Sequence, residues 1–307
     1  MFGSVSDIDI RLLRVFVTIV ESGGFAAAQA HLNITESTIS THMHHLEERL
    51  GLRLCERGRG GFRLTDDGEA VYAAARELFG SLDGFRSRVA SRRQQMSGGL
   101  NVGMPDNTIT HRGFPRGEAV HRFFGRDNDV HLTLQVLTPR ELERAVLEGR
   151  LDLAVGPEHQ RVAGLRYVRL FRERNYFYCG RRHPLHGRAG RKLELAEIAA
   201  AGRIGRGYLS KFDHKFFGPV PYSATVFSME AAAVLILSGR FGGFLPAHYA
   251  RPWVDAGEMR ALRPDLLTYT PDISVITRRD VEPTLPAKTF IGDLMAAAKA
   301  LGDATEA

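Results

Sequence analysis

Residues 25–50 read FAAAQAHLNITESTISTHMHHLEERL, and the apolar spacing in this stretch decides the N-terminal fold. Ile39, Met43, Leu46 and Leu50 recur at steps of 4, 3 and 4, the period of one helical face, and Gly51 stops the run. Thr35 precedes it as an N-cap, at the end of an Asn33-Ile34-Thr35 turn. Upstream, Phe25–Leu32 is a short helix whose Ala26, Ala27 and Ala28 let a neighbour approach closely. Two short helices joined by a tight turn have helix-turn-helix spacing. With the apolar face buried, Ser37, Thr41, His44 and Glu48 point outward, flanked by Ser40 and His45, while His42 lies nearer the core boundary. Short hydroxyls and imidazoles can hydrogen-bond base edges or phosphates in a major groove. On a bare two-helix pattern alone, a solvated polar helix is the favoured reading.

The flanks extend the motif. Leu12, Phe16, Ile19 and Val20 form an earlier helix that Ser22-Gly23-Gly24 ends. Downstream, extended pieces at 53–56 and 62–64 flank Gly58-Arg59-Gly60-Gly61, a hairpin-like wing whose Arg57, Arg59 and Arg63 would supply phosphate contacts that the neutral helix cannot. Thr65 caps a long helix opened by Asp66, Asp67 and Glu69, acids that suit its dipole. Val71, Ala75, Leu78, Leu82, Phe85 and Val89 follow in 4- and 3-residue steps towards Met96. That seam is expected to be a coiled-coil-like dimer surface, ahead of a helix packed only on its own domain.

Ser97-Gly98-Gly99 breaks the helix and the texture changes. Strand-like runs at 100–104, 130–136, 151–155, 165–171, 176–180, 222–227 and 273–277 alternate with helical ones at 193–200, 229–238 and 284–301. Thr138-Pro-Arg-Glu141 is a capping box with proline at the first helical position. Such alternation predicts an α/β domain with a largely parallel sheet.

Phe16-Val-Thr-Ile-Val-Glu-Ser-Gly-Gly-Phe-Ala-Ala-Ala, Leu32-Asn-Ile-Thr-Glu-Ser-Thr-Ile-Ser40, Leu46-Glu-Glu-Arg-Leu-Gly-Leu-Arg-Leu-Cys-Glu-Arg57 and Leu64-Thr-Asp-Asp-Gly68 occur in order over nearly all of residues 8–70. Together they resemble the winged helix-turn-helix of LysR-type transcriptional regulators. The resemblance continues in Gly149-Arg-Leu-Asp-Leu-Ala-Val155, similar to the family's strand after the first effector-domain crossover. Gly239-Arg-Phe-Gly-Gly-Phe-Leu-Pro246 is similar to its glycine-rich turn, and His183-Pro-Leu to one of its bends. It implies a C-terminal effector-binding domain like periplasmic binding proteins, with two α/β lobes, two crossover strands and a ligand in the cleft. It also implies a homo-oligomer, commonly a tetramer of coiled-coil dimers. This chain departs from the family in carrying Glu36 where Gln is frequent, and Thr41, His44 and His45 where Arg is frequent. Fewer permanent cations on the helix imply weaker nonspecific binding that leans on the wing arginines.

Length and composition agree with this organisation and exclude others. The 307 residues, 44% hydrophobic, suffice for two or three cored domains, which excludes disordered, collagen-like and disulfide-scaffold classes. The longest apolar run, Ala231–Leu237, is far too short to cross a bilayer. Asp7 and Asp9 stand where a signal peptide would be basic, so a cytoplasmic protein is expected. The net charge of +6 lies wholly in residues 98–307, because the first 97 residues balance 12 Arg against 12 acids.

His31, His42, His44 and His45 are dense, but no cysteine or carboxylate at ligand spacing completes a metal site. Cys55 and Cys179 fall in different domains and are expected to be buried and inert. No G-x-S-x-G, H-E-x-x-H, C-x-x-C or phosphate-loop motif occurs, so neither catalysis nor a cofactor is expected.

The expected organisation is therefore a winged helix-turn-helix over 1–65, a linker helix over 66–97 and an effector domain over 98–307. Its first lobe is placed at about 98–160 and 268–307, its second at about 161–267. The expected DNA-contacting residues are Glu36, Ser37, Ser40, Thr41, His44, His45, Arg57, Arg59 and Arg63. In open α/β sheets ligands sit beyond the C-terminal strand ends. That rule nominates Met104, Pro105, Asp106, Asn107, Thr108, Thr138, Gly156, Pro157, Gly205, Arg206, Phe227, Ser228 and Phe244. Arg206, Lys211, His214 and Lys215 cluster near one strand end; they suit an organic acid, with Phe227 and Phe244 suggesting an aromatic one, and fit a solvated basic loop at least as well. The alternative is a metal- or redox-responsive DNA-binding regulator without an organic effector.

Overall fold

Asp9 shows how the N-terminal helices are pinned. In a computed structural model that describes residues 6–58, 61–92, 96–115, 117–188, 193–209, 212–219 and 221–305, its carboxylate accepts from the Ser6 amide at 2.7 Å and the Ser6 hydroxyl at 2.6 Å. It thereby starts α1 (Asp7–Glu21). The same carboxylate pairs with the guanidinium of Arg49 near the far end of α3, and only 1% of its side chain is exposed. Positive φ at Gly23 and Gly24 turns the chain into α2 (Phe25–Leu32), and Asn33 ends α2 in the left-handed region at φ 52°. Thr35 Oγ1 then accepts from the Thr38 amide at 3.3 Å and opens α3 (Glu36–Leu50), which Gly51 closes at φ 67°. Phe16, Ile19, Ala28, Ile39 and Leu46 are fully buried where the three helices meet.

The wing is β1 (Cys55–Gly58) paired antiparallel with β2 (Gly61–Leu64). Glu47 on α3 holds it by accepting from the amides of Leu54 at 2.7 Å and Cys55 at 3.3 Å. α4 (Asp66–Arg92) starts where Thr65 Oγ1 accepts from the Gly68 amide. A Cβ on Gly68 would lie 1.9 Å from the Leu54 carbonyl oxygen, so only glycine permits this close approach. Ala75 is buried in the same core, which Val71, Tyr72, Leu78 and Phe79 flank. The first half of the expected seam thus packs on its own domain. Phe85, by contrast, is 59% exposed. The chain divides into two compact units, one running to Phe85 and including Glu148–Arg150, the other holding the remainder.

The second unit runs β3 (Ser97–Met104), α5 (Glu118–Phe124), β4 (Asp129–Val136), α6 (Pro139–Leu147), β5 (Leu153–Pro157), β6 (Leu165–Arg172), β7 (Asn175–Gly180), α7 (Leu195–Ala200) and β8 (Ile204–Arg206). It continues with α8 (His214–Phe217), β9 (Ala224–Val226), α9 (Met229–Leu237), β10 (Gly242–Pro246), α10 (Ala247–Asp255), β11 (Met259–Ala261), β12 (Thr268–Tyr269), β13 (Asp272–Arg278) and α11 (Leu285–Thr305). The capping box reads true: Thr138 donates to Glu141 Oε2 from its amide at 2.9 Å and its hydroxyl at 2.6 Å.

Two sheets form the lobes. The first has the order β4-β3-β5-β13-β6, and the second gathers β10, β11 and β12 around β7. Among the described strands only β3–β4, β3–β5 and β8–β9 pair parallel, and every partner of β7 and β13 is antiparallel. The expectation of a largely parallel sheet is therefore corrected to mixed sheets, because two strands return across the lobes. The lobe boundaries shift for the same reason. β6 pairs with β13 in the first sheet and β12 with β7 in the second, so the crossings fall near residues 173–174 and 270–271 rather than at 161 and 268. The segment read as a glycine-rich turn before Pro246 contains β10. A Cβ at Gly242 would lie 2.5 Å from the Phe177 ring, and one at Gly243 2.3 Å from Ile204, so these glycines serve close packing.

Candidate functional site

α3 presents a polar face. Ile39, Met43 and Leu46 are buried, whereas Glu36, Ser37, Thr41, His44 and His45 are exposed and Ser40 is half-buried. Ser40 donates to the Glu36 carbonyl at 2.8 Å and Thr41 to the Ser37 carbonyl at 3.0 Å, which engages both hydroxyl protons with the helix backbone. His44 Nε2 lies 3.2 Å from Glu48 Oε1 one turn on. His42 and His45 also line a shallow groove with Ile8, Arg11, Leu12, Val15 and Ile34. Arg63 is exposed on β2; Arg59 and the side chain of Arg57 lie outside the described residues. Among the described residues no group of three or more His, Cys, Asp or Glu is placed to hold a metal. Cys55 and Cys179 are free thiols, both buried, and burial pushes Cys179 up to about 12.

The second unit holds a cavity of about 30 Å³, room for about two or three waters. Its walls come from both sheets. Pro105, Asp106, Asn107 and Thr108 follow β3, Pro157 ends β5 with His159 two residues beyond, and Arg206 ends β8 with Tyr208 two residues beyond. Met229 opens α9, Pro246 ends β10, and Glu173, Tyr269 and Pro271 stand at the crossings. Six nominated residues, Pro105, Asp106, Asn107, Thr108, Pro157 and Arg206, are thus brought together.

The other seven do not line the cavity. Met104 and Gly156 sit one position earlier on their strands, and Thr138 yields its place to Pro139. A Cβ on Gly205 would meet Tyr222 at 2.4 Å, so it is packed away from the cavity. Phe227 is 63% exposed, and Ser228 Oγ is spent capping α9 by accepting from the Ala231 amide. Phe244 is buried in an aromatic cluster with Phe177, Phe212, Phe216 and Tyr269. Lys215 lies 4.2 Å over the Phe212 ring rather than at the cavity, and Lys211 lies outside the described residues.

Electrostatics single out Arg206. Its guanidinium donates to Tyr269 Oη, to the Phe244 carbonyl at 3.0 Å and to Asn175 Oδ1 at 3.4 Å. All three acceptors are neutral, and among the described residues no carboxylate forms an ion pair with it. Burial works against its charge, but Tyr269, Tyr208, Asp213 and Glu173 around it outweigh that and raise its pKa. His159 is pushed down to about 4, first by burial and then by Arg206. Glu173 Oε1 accepts from His248 Nε2 at 2.9 Å, and His248 Nδ1 lies 2.7 Å from Thr110 Oγ1. Asp106 reaches across to α9, where its Oδ2 accepts from the amides of Met229 and Glu230. Burial raises its carboxyl while those amides and Arg206 pull it back.

Glu173, Tyr208, Tyr269 and His159 were missed by sequence reasoning. The strand-end rule reaches His159, two residues past Pro157, and Tyr208, two past Arg206, only if extended. For Glu173 and Tyr269 the sequence offers no local signal, because their position depends on where the chain crosses between sheets.

Two family models match the chain. One, described as bacterial regulatory helix-turn-helix protein, lysR family, covers residues 10–69, and the other, LysR substrate binding domain, covers residues 93–299. The HTH-type transcriptional activator BauR of Pseudomonas aeruginosa is 40% identical over 290 residues, 94% of this chain and 95% of that protein. The crystal structure of CbnR, described as a LysR family transcriptional regulator, aligns at a TM-score of 0.63 with 22% identity, covering 94% of this chain and 99% of that one. Full-length CbnR complexed with its target DNA aligns at 0.61 with 21% identity, covering 94% and 99%.

Proposed function

The chain belongs to the LysR family of DNA-binding transcriptional regulators with an effector-binding domain, and from that premise we propose how its own residues divide the work. The DNA-binding domain is placed at 1–65, the linker helix at 66–97 and the effector-binding domain at 98–307. Glu36, Ser37, Ser40, Thr41, His44 and His45 meet the major groove, and Arg57, Arg59 and Arg63 meet the flanking phosphates. A carboxylate at Glu36 repels phosphate and accepts from cytosine N4, which biases the site towards C at the position it faces. Two copies join through α4, with Phe85 in the seam, and a tetramer is two such dimers. The protein works in the cytoplasm as a regulator rather than an enzyme; no helix among the described residues is long and apolar enough to cross a membrane.

The cavity between the two sheets takes the effector, a small molecule whose carboxylate docks on Arg206. The observation that carries the DNA reading is the exposed polar face of α3, pinned at its start by Thr35 and at its end by Arg49–Asp9. Selection of binding sites from a randomised duplex pool tests it. Enriched sequences should be near-palindromes whose half-sites lie about 10 base pairs apart, or a multiple of that. Recovery of no consensus, with affinity that only follows salt, would refute sequence-specific recognition.

A further inference from the structure

Glu47 is an acid on the helix that the proposed function lays in the major groove, and its charge is wrong for that place, because a carboxylate there repels phosphate. Its geometry is another matter. Oε1 accepts from the Leu54 amide at 2.7 Å and from the Cys55 amide at 3.3 Å, where the chain enters the wing. Leu54 is fully buried, so its N–H has no water to turn to.

The same residue is tied on its other side. The Leu54 carbonyl accepts from the Thr65 amide at 3.1 Å. Thr65 Oγ1 donates to the Arg53 carbonyl at 2.6 Å and accepts from the Gly68 amide at 2.9 Å. Cys55 pairs with Leu64, so these bonds lie at the foot of both wing strands. One buried residue thus joins three elements, its amide to α3 and its carbonyl to the cap of α4, with the wing rising between them. Phe62 also packs edge-on against Phe25, which holds the wing to α2 but does not tie its foot to α3.

We infer that Glu47 is a positioning residue for DNA binding: through Leu54 it sets where the wing arginines stand relative to the base-reading face of α3. The inference rests on the proposed contact of Arg57, Arg59 and Arg63 with phosphates. Base edges and phosphates sit at fixed offsets on a duplex, so both sets of contacts form together only while the wing keeps its place beside α3. Without the carboxylate, the Leu54 amide either stays buried and unsatisfied or draws the foot of β1 towards water.

Fluorescence anisotropy of the full chain on the selected operator and on a random duplex, each across a salt series, tests it. The proteins are the wild type, Glu47→Ala, Glu47→Gln, Glu47→Asp and Arg63→Ala. If Glu47 acted by charge alone, Glu47→Ala and Glu47→Gln would both bind more tightly. A positioning role gives opposite signs. Glu47→Ala should bind both duplexes at least tenfold more weakly, with a salt slope smaller by about 2, the loss of two phosphate contacts. Glu47→Gln keeps an acceptor for the two amides and should bind at least as tightly as the wild type. Glu47→Asp keeps the charge but is one methylene short, and should follow Glu47→Ala; the contrast between Gln and Asp stands even where Glu47→Ala does not fold. The ratio of operator to random affinity should stay within threefold throughout, because the outward face of α3 is untouched. Tighter binding by Glu47→Ala, a wild-type slope in Glu47→Asp, or a collapse of that ratio would overturn the inference while a smaller slope in Arg63→Ala left the wing reading standing. An unchanged slope in Arg63→Ala would remove the wing reading and this inference with it.

Discussion

Arg206→Gln isolates the carboxylate end of the proposed ligand. Glutamine keeps a neutral donor near the Phe244 carbonyl and removes the charge. A hydrogen bond to a charged group contributes about 1.5–3 kcal/mol, so losing a paired contact to one carboxylate should remove about 2.8 kcal/mol, a hundredfold in affinity. At a ligand concentration about 100 times the wild-type Kd, binding stabilises the wild-type fold by about 2.7 kcal/mol. The same concentration only equals the variant's Kd and stabilises it by about 0.4 kcal/mol. For a unit of this size each kcal/mol moves Tm by about 2–4 °C. The ligand-induced shift should therefore fall from about 5–11 °C to about 1–2 °C. Scanning calorimetry of both proteins, with and without the small carboxylate that stabilises the wild type best, reads the shift directly. The ligand-free Tm is measured alongside, so any change in intrinsic stability cancels. A variant that keeps the full shift would refute the placement of the ligand carboxylate on Arg206, whatever the ligand's other end does.

Ser37→Ala and Thr41→Ala should each weaken binding to the selected operator by up to about 1–3 kcal/mol while leaving random DNA unaffected. Arg63→Ala should weaken both and lower the salt slope by about 1; fluorescence anisotropy across a salt series separates the two patterns, and equal losses on both DNAs for Ser37→Ala would move it off the base edges. Asp9 is held well below the ordinary carboxylate range, chiefly by its hydrogen bonds from Arg49 and then from Ser6. A depressed folded-state pKa means stability that is present above the unfolded value near pH 4 and lost as pH falls towards the folded one. Asp9→Asn should accordingly lower Tm at pH 7 and flatten its decline below about pH 4; an unchanged acid limb would show that other carboxylates dominate it. Cys179 is fully buried, and burial holds it as a thiol up to about pH 12. It should resist iodoacetamide in the native protein and react once denatured, as read by intact mass; rapid native alkylation together with peroxide-sensitive DNA binding would reinstate a redox-responsive regulator.

What the sequence made legible were features fixed within a few residues. Thr35, Asn33 and Gly51 set the ends of α2 and α3 by local geometry, and the 4-3-4 spacing of Ile39, Met43, Leu46 and Leu50 assigns the faces of α3 without reference to anything distant. The Thr138–Glu141 box is equally local. Pro105 to Thr108 and Arg206 were legible for a different reason, because strand ends point towards the same side of an open sheet. The failures are non-local. Nothing near residue 161 says that β6 pairs with β13, a partner more than 100 positions away, so the lobe boundary fell too early and the crossing residues Glu173 and Tyr269 escaped notice. Phe227 and Phe244 were nominated for their rings, yet which ring meets solvent and which meets Phe177 depends on how β7 and β10 pack.

The missed residues alter the chemical reading as well as the inventory of the site. Arg206 alone argues for an acid. Glu173 at the crossing and Asp106 after β3 add two carboxylates to the walls around Arg206, so the cavity is not a bare anion pocket. Asp106 also bridges the lobes, since it lies on the first sheet's side and the α9 amides it holds lie on the second's. A ligand can shift the equilibrium between two lobe spacings only by the difference in its affinity for them. If Asp106 is the link between the spacings, Asp106→Asn should blunt the ligand-dependent change in DNA affinity even when the cavity is filled, whereas Arg206→Gln should weaken ligand binding without abolishing the response at saturation. Fluorescence anisotropy at saturating ligand separates the two, and an unchanged response in Asp106→Asn would show that the lobes are coupled elsewhere.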